Sequence, residues 1–322
     1  MRPLPDIALA IPQSTHAART SANNIQIRSR IQSPKRKFFQ RIAKFFLNNE
    51  IQNAASAATL TSLLAASAAP ALIDRGRSVS FRELADESSR VAQGLRALEV
   101  HAGDRVALWL PNVPAWLAAF FACARIGAIA VAVNTRFRSA ELADILQRSG
   151  ARVLFFWPGF KGIDFAGILA ACDPQSLARL ETLVAYEEDG GETRVNLGSK
   201  TIVPYGTLAA SQSLTADDSR PDAGCALFTT SGTTKAPKFV LHDQRAVIAH
   251  ARDVVRGFNI EANAVILLVP PLCGVFGFCS AMAALAAGRP TLMAPAWDPA
   301  QAARDIVAHR VTHINGTDEA AA

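Results

Sequence analysis

Short apolar runs alternate with amphipathic helical repeats along residues 78–315 of this chain. An apolar run such as Arg105–Leu110 has the length and the bounds of a buried strand. By contrast, Asp243–Arg256 places apolar side chains at helical spacing and is followed by Gly257, a common residue at helix ends. The predicted strands are 105–110, 128–133, 152–157, 182–185, 265–269, 291–294 and 311–315. This alternation predicts an α/β fold in which parallel sheets are flanked by helices on both faces.

Capping residues predict where the helices begin and end. Ser80 and Glu83 have the spacing of a capping box, in which each side chain bonds the other residue's backbone N–H. Ser139 is predicted to cap a helix that Gly150 ends, and Asp298-Pro299 is predicted to cap the last helix. The predicted helices are 80–98, 114–127, 139–150, 243–256, 277–287 and 298–310.

A loop rich in hydroxyl groups and lysines lies between a predicted strand that ends at Phe228 and a helix that begins near Asp243. Its chemistry-bearing residues are Thr229, Thr230, Ser231, Gly232, Thr233, Thr234, Lys235 and Lys238. A glycine lets the backbone approach an anion, hydroxyls and amides donate hydrogen bonds, and a lysine neutralises charge. The loop is therefore predicted to bind a polyphosphate, and an ordinary Ser/Thr/Gly-rich surface loop is the alternative.

The spacing in this loop differs from that of the Walker phosphate loop. It resembles the phosphate loop of the acyl-adenylate-forming superfamily, Thr-Ser-Gly-Thr-Thr-Gly-x-Pro-Lys-Gly, which includes acyl-CoA synthetases, peptide-synthetase adenylation domains and luciferases. Two glycines of that pattern are replaced here, by Lys235 and Phe239. The matching positions are Thr230, Ser231, Gly232, Thr233, Thr234, Pro237 and Lys238.

The resemblance extends over roughly residues 57 to 322. It is carried by five segments. Residues 79–84 resemble the family's helix opening, 103–107 its first core strand and 124–135 its Gly-Ala segment. Residues 271–278 resemble its acyl-pocket segment, and 311–316 resemble its pocket strand. The resemblance implies the large N-terminal domain of the acyl-adenylate-forming fold without the small C-terminal domain. We expect a basic, disordered extension at 1–55 and an incomplete AMP-binding domain at 56–322, whose two α/β halves are 56–220 and 221–322.

The family reaction joins a carboxylic acid to ATP and then passes the acyl group to a thiol, commonly coenzyme A, with Mg²⁺ on the phosphates. The resemblance implies that residues Thr230–Thr234 cradle the β- and γ-phosphates and that Lys238 holds the loop or the leaving pyrophosphate. It implies an acyl pocket shaped by His242, Phe276, Gly277 and Gly316. The alternatives are that His242 caps the following helix and that the Phe-Gly segment is ordinary core.

Two departures from the family pattern affect this expectation. Lys235 stands where a glycine permits unusual backbone angles, which favours a stiffer loop. Gly274 replaces the histidine of the pocket segment, which leaves room for a bulkier acyl group.

Charge and cysteine content limit the class of protein. Residues 1–50 contain nine basic and two acidic side chains, so the net charge of +6 is concentrated there and the remainder is nearly neutral. No nucleic-acid partner is therefore predicted. The five cysteines include no Cys-x-x-Cys pair, which favours a reducing cytoplasm over a disulfide framework or a zinc site. His309 and His313 have helical ligand spacing, but His313 falls on the predicted strand 311–315, which points the two rings in different directions, so no metal site is expected.

Three segments have some features of membrane or export signals. Lys35–Leu47 is a candidate basic amphipathic helix that could lie on an anionic membrane, or dock on its own protein. Ile51–Ile73 lacks the apolar block of a signal peptide. Ala262–Gly288 is uncharged, but Pro270-Pro271 interrupts it, so a buried strand, turn and helix are favoured over a membrane span. Membrane association is therefore not favoured.

Two other function classes stay open beside an acyl-CoA synthetase of fatty acid metabolism. The chain could be a catalytically dead nucleotide-binding or interaction module, or a membrane-attached protein. Stabilisation by ATP in thermal melts without ligase activity would indicate the former. Retention in a membrane pellet washed with high salt would indicate the latter.

We expect little or no ligase activity from these 322 residues alone. In the family pattern, the adenine-binding stretch, the acidic Mg²⁺ residue, the ribose-binding aspartate and the mobile C-terminal domain all follow the last segment matched here. The measurement is exchange of pyrophosphate into ATP by the purified chain with a carboxylic acid. Measurable exchange would refute the expectation.

Overall fold

The computed structural model describes residues 58–64, 69–188, 200–230 and 237–316. The strands in these ranges are β1 (Pro70–Asp74), β2 (Arg77–Ser80), β3 (Arg105–Trp109), β4 (Ile129–Ala132), β5 (Val153–Phe156), β6 (Thr182–Ala185), β7 (Thr201–Pro204), β8 (Gly224–Thr230), β9 (Lys238–Asp243), β10 (Ile266–Leu268), β11 (Thr291–Met293) and β12 (His313–Asn315). The helices are α1 (Phe81–Ala97), α2 (Pro114–Arg125), α3 (Ser139–Ser149), α4 (Phe165–Ala170), α5 (Tyr205–Ala209), α6 (Gln244–Gly257), α7 (Val275–Ala286) and α8 (Pro299–Ala308), with short 3-10 helices at Leu60–Leu64 and Phe160–Gly162.

These strands form two sheets. The order in the seven-stranded sheet is β7-β6-β5-β3-β4-β8-β9, and the order in the five-stranded sheet is β12-β10-β11-β1-β2. The pairings are parallel except for β1 with β2 and β8 with β9, which are antiparallel. The predicted α/β class with parallel sheets flanked by helices is therefore confirmed, with two antiparallel pairs that the sequence pattern did not indicate.

The six predicted helices, the seven strands predicted with both ends and the strand predicted to end at Phe228 are all present, with ends within two residues of their expected positions. The capping box is confirmed, since Ser80 Oγ accepts from Glu83 N and Ser80 N donates to Glu83 Oε2. Asp298 also caps its helix as predicted. One cap is wrong by a residue: Arg138 occupies the N-cap position of α3 and its N–H donates to Glu141, so Ser139 is the first helical residue.

The hairpin of β1 and β2 was not predicted. Its turn consists of Arg75 and Gly76, both with positive φ angles of 48° and 82°. Such a turn usually has Asn or Asp at its first position, and an arginine there gives no recognisable sequence signal. The hairpin pairs with β11, so residues 70–80 lie in the same sheet as β10, β11 and β12. The predicted division into two α/β halves between residues 220 and 221 stays a prediction. The sheets group the chain differently, because residues 70–80 share a sheet with strands that follow residue 221.

Helix α2 lies in the hydrophobic core. Every residue from Ala115 to Ala124 is buried, because this helix is apolar on all sides. Its aromatic rings pack against helix α7, with the ring centroids of Phe120 and Phe278 5.1 Å apart. Strand β3 is buried on both faces as well: Val106 and Leu108 face one core cluster, and Ala107 and Trp109 face another. Core packing thus fixes α2 between the sheet and the later helices.

The segments with membrane-like composition differ in outcome. Ala262–Gly288 forms β10, a turn and α7, as the pattern favoured. Among the described residues, no helix combines the length and apolar character needed to cross a bilayer. The expected extension at 1–55 and the candidate helix Lys35–Leu47 lie outside the described residues.

The two histidines considered as a metal pair lie on different elements. His309 is the C-cap residue that follows α8, and His313 lies on β12 with its ring against Thr312 Oγ1 and the Phe258 carbonyl.

Gln244 joins three segments through one buried amide. Its side chain is fully buried, Oε1 accepts from Leu60 N at 2.8 Å, and Nε2 donates to the Ala124 carbonyl at 3.1 Å. The first residue of α6 is therefore bonded both to the end of α2 and to the first described segment.

We predict that Gln244→Leu lowers the free energy of unfolding by about 2–4 kcal/mol, because two buried backbone groups lose their partner. The measurement is urea unfolding followed by circular dichroism. Gln147→Leu on the exposed face of α3 is the matched control and should change stability by no more than about 0.5 kcal/mol. Equal effects of the two substitutions would contradict the prediction.

Candidate functional site

The two ends of the predicted phosphate loop are held by the hairpin of β8 and β9. The antiparallel register runs from Gly224 opposite Asp243 to Thr230 opposite Lys238. Thr230 and Lys238 are both exposed, and the Thr230 hydroxyl lies 3.5 Å from the Lys238 carbonyl. The other predicted loop residues lie outside the described residues and stay predictions: Ser231, Gly232, Thr233 and Thr234.

The two faces of this hairpin have different neighbours. Residues directly opposite one another share a face, and alternate residues of one strand do as well. Thr230, Lys238, Phe228 and His242 therefore belong to one face, and the Phe228 and His242 rings meet at 6.0 Å. The opposite face is apolar, since Leu227 and Phe239 pack against the core cluster that contains α3. One side of the hairpin thus carries Thr230, Lys238 and His242, whereas Thr229 lies opposite Phe239 and belongs to the other face.

The loop ends lie at the carboxyl edge of the parallel strands. β3, β4 and β8 run parallel to one another as neighbours, so the segments that leave their carboxyl ends begin on the same side of the sheet. Ligands of open α/β sheets bind outside this edge. The position of Thr230 at the end of β8 is therefore the position expected of a ligand-binding residue.

Asn112 connects this edge to the loop that follows β10. Its buried side chain donates from Nδ2 to the Pro270 carbonyl at 3.1 Å and accepts at Oδ1 from Leu272 N at 2.7 Å. The loop of the five-stranded sheet that leads into α7 is thereby bonded to the segment that follows β3. No local sequence signal marks Asn112, because its partners lie 158 and 160 residues away along the chain.

A cavity of about 310 Å³ lies between α6, α7 and the face of the hairpin that bears Phe228 and His242. Phe228 and Phe278 form part of its wall, with ring centroids 5.0 Å apart. The full lining consists of Phe228, His242, Ala246, Val247, His250, Ala251, Val275, Phe278, Cys279 and Met282. Its size is at the lower end of the range of small-molecule sites, and its walls are mainly apolar, as is usual for such sites.

The described residues in the walls of this cavity carry no carboxylate, ammonium or guanidinium group. None of the described residues that line it is Asp, Glu, Lys or Arg. Burial lowers the pKa of the His242 imidazole below its usual 6.5, and His250 lowers it further, while Asp243 opposes the shift. Burial also raises the pKa of the Cys279 thiol to about 11. His242 and Cys279 are therefore both uncharged, so the cavity favours an uncharged ligand group.

The predicted pocket residues are placed in different ways. His242 lines the cavity, and the N-cap of α6 is Asp243, whose Oδ1 accepts from Ala246 N, so the alternative that His242 caps this helix is wrong. Phe276 is the second residue of α7, has about half of its surface exposed and is not among the lining residues. Gly277 is buried in the same helix. Gly316 is exposed and follows Asn315, whose Nδ2 donates to Ser280 Oγ of α7. The roles of these residues in ligand binding stay predictions.

Most of the residues that line the cavity carry no sequence signal specific to a binding site. The residues from α7 are Val275, Phe278, Cys279 and Met282, which have the i, i+3, i+4, i+7 spacing of one helical face. That spacing was a usable signal, but it indicates only a buried face. Whether such a face meets a cavity or close-packed core depends on the neighbouring helix, which periodicity does not reveal.

We predict that Gly277→Ala disturbs this site. A Cβ at position 277 would lie 2.3 Å from the Pro271 carbonyl oxygen and 2.5 Å from that of Pro270, so the turn or the helix must move. We expect a loss of about 1–3 kcal/mol in the free energy of unfolding, measured by urea titration. Gly257→Ala is the matched control, because a Cβ there meets nothing within 4 Å, and it should raise stability by about 0.5–1 kcal/mol. A Gly277→Ala protein as stable as wild type would disprove the close approach.

Known proteins with similar sequences confirm the resemblance. The family described as AMP-binding enzyme matches residues 64–321. A 3-[(3aS,4S,7aS)-7a-methyl-1,5-dioxo-octahydro-1H-inden-4-yl]propanoyl:CoA ligase of Mycobacterium tuberculosis is 33% identical over 249 residues, which are 76% of this chain and 48% of that protein. A feruloyl-CoA synthase of Amycolatopsis sp is 30% identical over 249 residues, which are 75% of this chain and 44% of that protein. The chain thus spans less than half the length of these two relatives.

Solved structures agree in fold. The anthranilate CoA ligase AuaEII in complex with anthranoyl-AMP superposes with a TM-score of 0.67 over 80% of this chain and 49% of that chain. Its sequence identity is 23%, so this similarity shows the fold alone. Together with the family match over most of the described residues, it accounts for the two sheets and their helices. The chain belongs to the family of AMP-binding enzymes.

Proposed function

We propose that this chain carries the phosphate-binding and acid-binding parts of an adenylate-forming acid–thiol ligase. Such an enzyme joins a carboxylate to ATP, releases pyrophosphate, and passes the acyl group to the thiol of coenzyme A. The relatives named above are ligases or synthases of acyl-CoA thioesters, which supports this reaction type. Because the match covers less than half of each relative, the activity of the whole protein is part of the proposal.

One observation carries the proposal: a single face of the β8–β9 hairpin serves both candidate sites. Phe228 and His242 contribute to the wall of the cavity, and Thr230 and Lys238 flank the predicted phosphate loop on the same face. Phe228 and Thr230 are two residues apart in a strand, which separates them by about 7 Å. An acid whose body lies in the cavity can therefore direct its carboxylate toward a nucleotide held at the loop.

In this arrangement the chain contributes positioning and charge stabilisation. The cavity would hold the body of the acid and exclude water from it, while Lys238 would stabilise negative charge on the phosphates. Magnesium would neutralise phosphate charge in the nucleotide complex. Among the described residues there is no cluster of three metal-ligating side chains. This fits a cation held chiefly through phosphates and water, which is the usual binding mode of Mg²⁺ beside a nucleotide.

The cavity also favours one class of acid. A second charge on the acid would lose its hydration in a mainly apolar cavity, so a monocarboxylic acid is favoured. The rings of Phe228 and Phe278 offer surfaces for offset or edge contacts with a ring of the ligand. The names of the two relatives also describe ring-bearing acids, an indenyl propanoyl group and a feruloyl group. We therefore propose a ring-bearing monocarboxylic acid as the substrate.

The catalytic capacity of these 322 residues by themselves stays a prediction. Binding of ATP and of an acid without pyrophosphate exchange would support a binding module. Exchange of pyrophosphate would support ligase activity in this chain. The cellular compartment and the part played in fatty acid metabolism also remain proposals from the sequence.

We predict that Ala246→Trp weakens binding of trans-cinnamate at least tenfold and leaves the dissociation constant of ATP unchanged. Ala246 is exposed at the cavity, so an indole can occupy that space without disturbing the core. Isothermal titration calorimetry measures the dissociation constants of both ligands.

A second comparison tests the preference for a single charge. 4-Carboxycinnamate, which adds a second charge at the ring, should bind the wild-type chain at least tenfold more weakly than cinnamate.

The matched control is Ala303→Trp on the exposed side of α8, away from the cavity lining. It should bind cinnamate as the wild type does. Equal cinnamate affinity in Ala246→Trp and wild type would disprove the cavity as the acid site. A wild-type chain that binds neither ATP nor cinnamate would disprove the proposed function.

A further inference from the structure

Arg148 of α3 contacts the residues on both sides of Lys238. Its Nη2 donates to the Pro237 carbonyl at 2.8 Å, and its guanidinium carbon lies 4.4 Å from the centroid of the Phe239 ring. The first contact fixes the backbone just before Lys238, and the second holds the side chain just after it. We call this group of Arg148, Pro237 and Phe239 the lysine clamp.

The guanidinium of the clamp is itself held in place. Asp144, one helical turn earlier, accepts from Arg148 Nε at 2.9 Å and from Nη2 at 2.7 Å. Such a two-point pairing fixes the plane of the guanidinium, and a planar cation this close to a ring face is attracted to it. Arg148 is thus oriented by its own helix before it meets β9, and less side-chain freedom is lost when the contact forms.

The clamp lies on the face of the hairpin opposite to the candidate sites. Phe239 packs with α3 and its core cluster, and side chains alternate along a strand, so Lys238 faces the other way. The charge of Arg148 is directed to Asp144, Pro237 and Phe239. Arg148 therefore acts on Lys238 through the backbone of β9 and is not a direct phosphate ligand.

β9 needs such support because it is an edge strand. In the seven-stranded sheet it pairs with β8 alone among the described strands. The ends of edge strands open more readily than central strands, and Lys238 is the first residue of β9. The clamp adds a second anchor at this weak point.

We propose that Arg148 and Phe239 are positioning residues that hold Lys238 in place for a polyphosphate. This inference rests on the proposed phosphate-binding role of the loop. It concerns a feature of this chain itself, because Phe239 stands where the superfamily pattern has a glycine, which offers no ring to a guanidinium. Holding the lysine in advance lowers the ordering cost of binding, so the clamp contributes affinity without touching the ligand.

The test measures binding of inorganic tripolyphosphate to the full 322-residue chain by calorimetry. Arg148→Lys keeps the charge but loses the planar fork, and Phe239→Gly restores the family residue. Each is expected to weaken tripolyphosphate binding about 5- to 20-fold while the dissociation constant of trans-cinnamate stays unchanged. The double variant should bind tripolyphosphate about as weakly as the single variant with the larger loss of affinity. Both substitutions remove the same contact, that of the Arg148 guanidinium with the Phe239 ring. Phe239→Trp keeps a ring for stacking and should retain most of the affinity.

Further variants separate this role from others. Arg82→Lys, at an exposed position of α1, is the control and should change neither affinity. If Arg148→Lys binds tripolyphosphate as tightly as wild type, charge alone suffices and the clamp is disproved. Equal weakening of tripolyphosphate and cinnamate binding would also overturn it, since that result indicates general loss of structure. If the wild-type chain binds no tripolyphosphate, the proposed function fails, and this inference fails with it.

Discussion

The antiparallel pairing of β9 with β8 is the constraint on which the rest of the site depends. It returns the chain at Lys238 to a position opposite Thr230, and so fixes both ends of the predicted phosphate loop at the carboxyl edge of a parallel sheet. The same register brings His242 beside Phe228 at the cavity. A shift of one residue in this pairing would exchange the two faces of β9, turning Phe239 toward the cavity and Lys238 toward the core.

Buried amides hold the walls of the cavity on the same scaffold. Gln244 bonds the start of α6 to the end of α2, and Asn112, just before α2, bonds the loop that leads into α7. Between these two anchors, α2 is apolar on every side and packs Phe120 against Phe278. The position of each wall therefore depends on one helix that is itself fixed by core packing. A buried amide that loses its partner is costly, so these anchors hold both walls in a defined geometry.

The sequence revealed the elements whose signals are local. Capping at Ser80 and Asp298, helical periodicity in α6 and α7, and the apolar runs of the parallel strands all act over a few residues, and the structure confirms them. Strand β9 was missed because an edge strand is only partly buried, so its residues do not alternate cleanly between apolar and polar. The partners of Gln244 lie 184 and 120 residues away, and no local pattern encodes such contacts. Of the pocket residues predicted individually, only His242 lines the cavity, and of the segments only 271–278 contributes, because the other walls arise where two helices meet.

The decisive experiment is a crystal structure of the chain with ATP, Mg²⁺ and trans-cinnamate. We expect phosphate oxygens within hydrogen-bonding distance of Lys238 Nζ, with the ring of the acid between Phe228 and Phe278 on the same face of the hairpin. A nucleotide bound away from that face, or an acid lodged elsewhere while the cavity stays empty, would contradict this expectation.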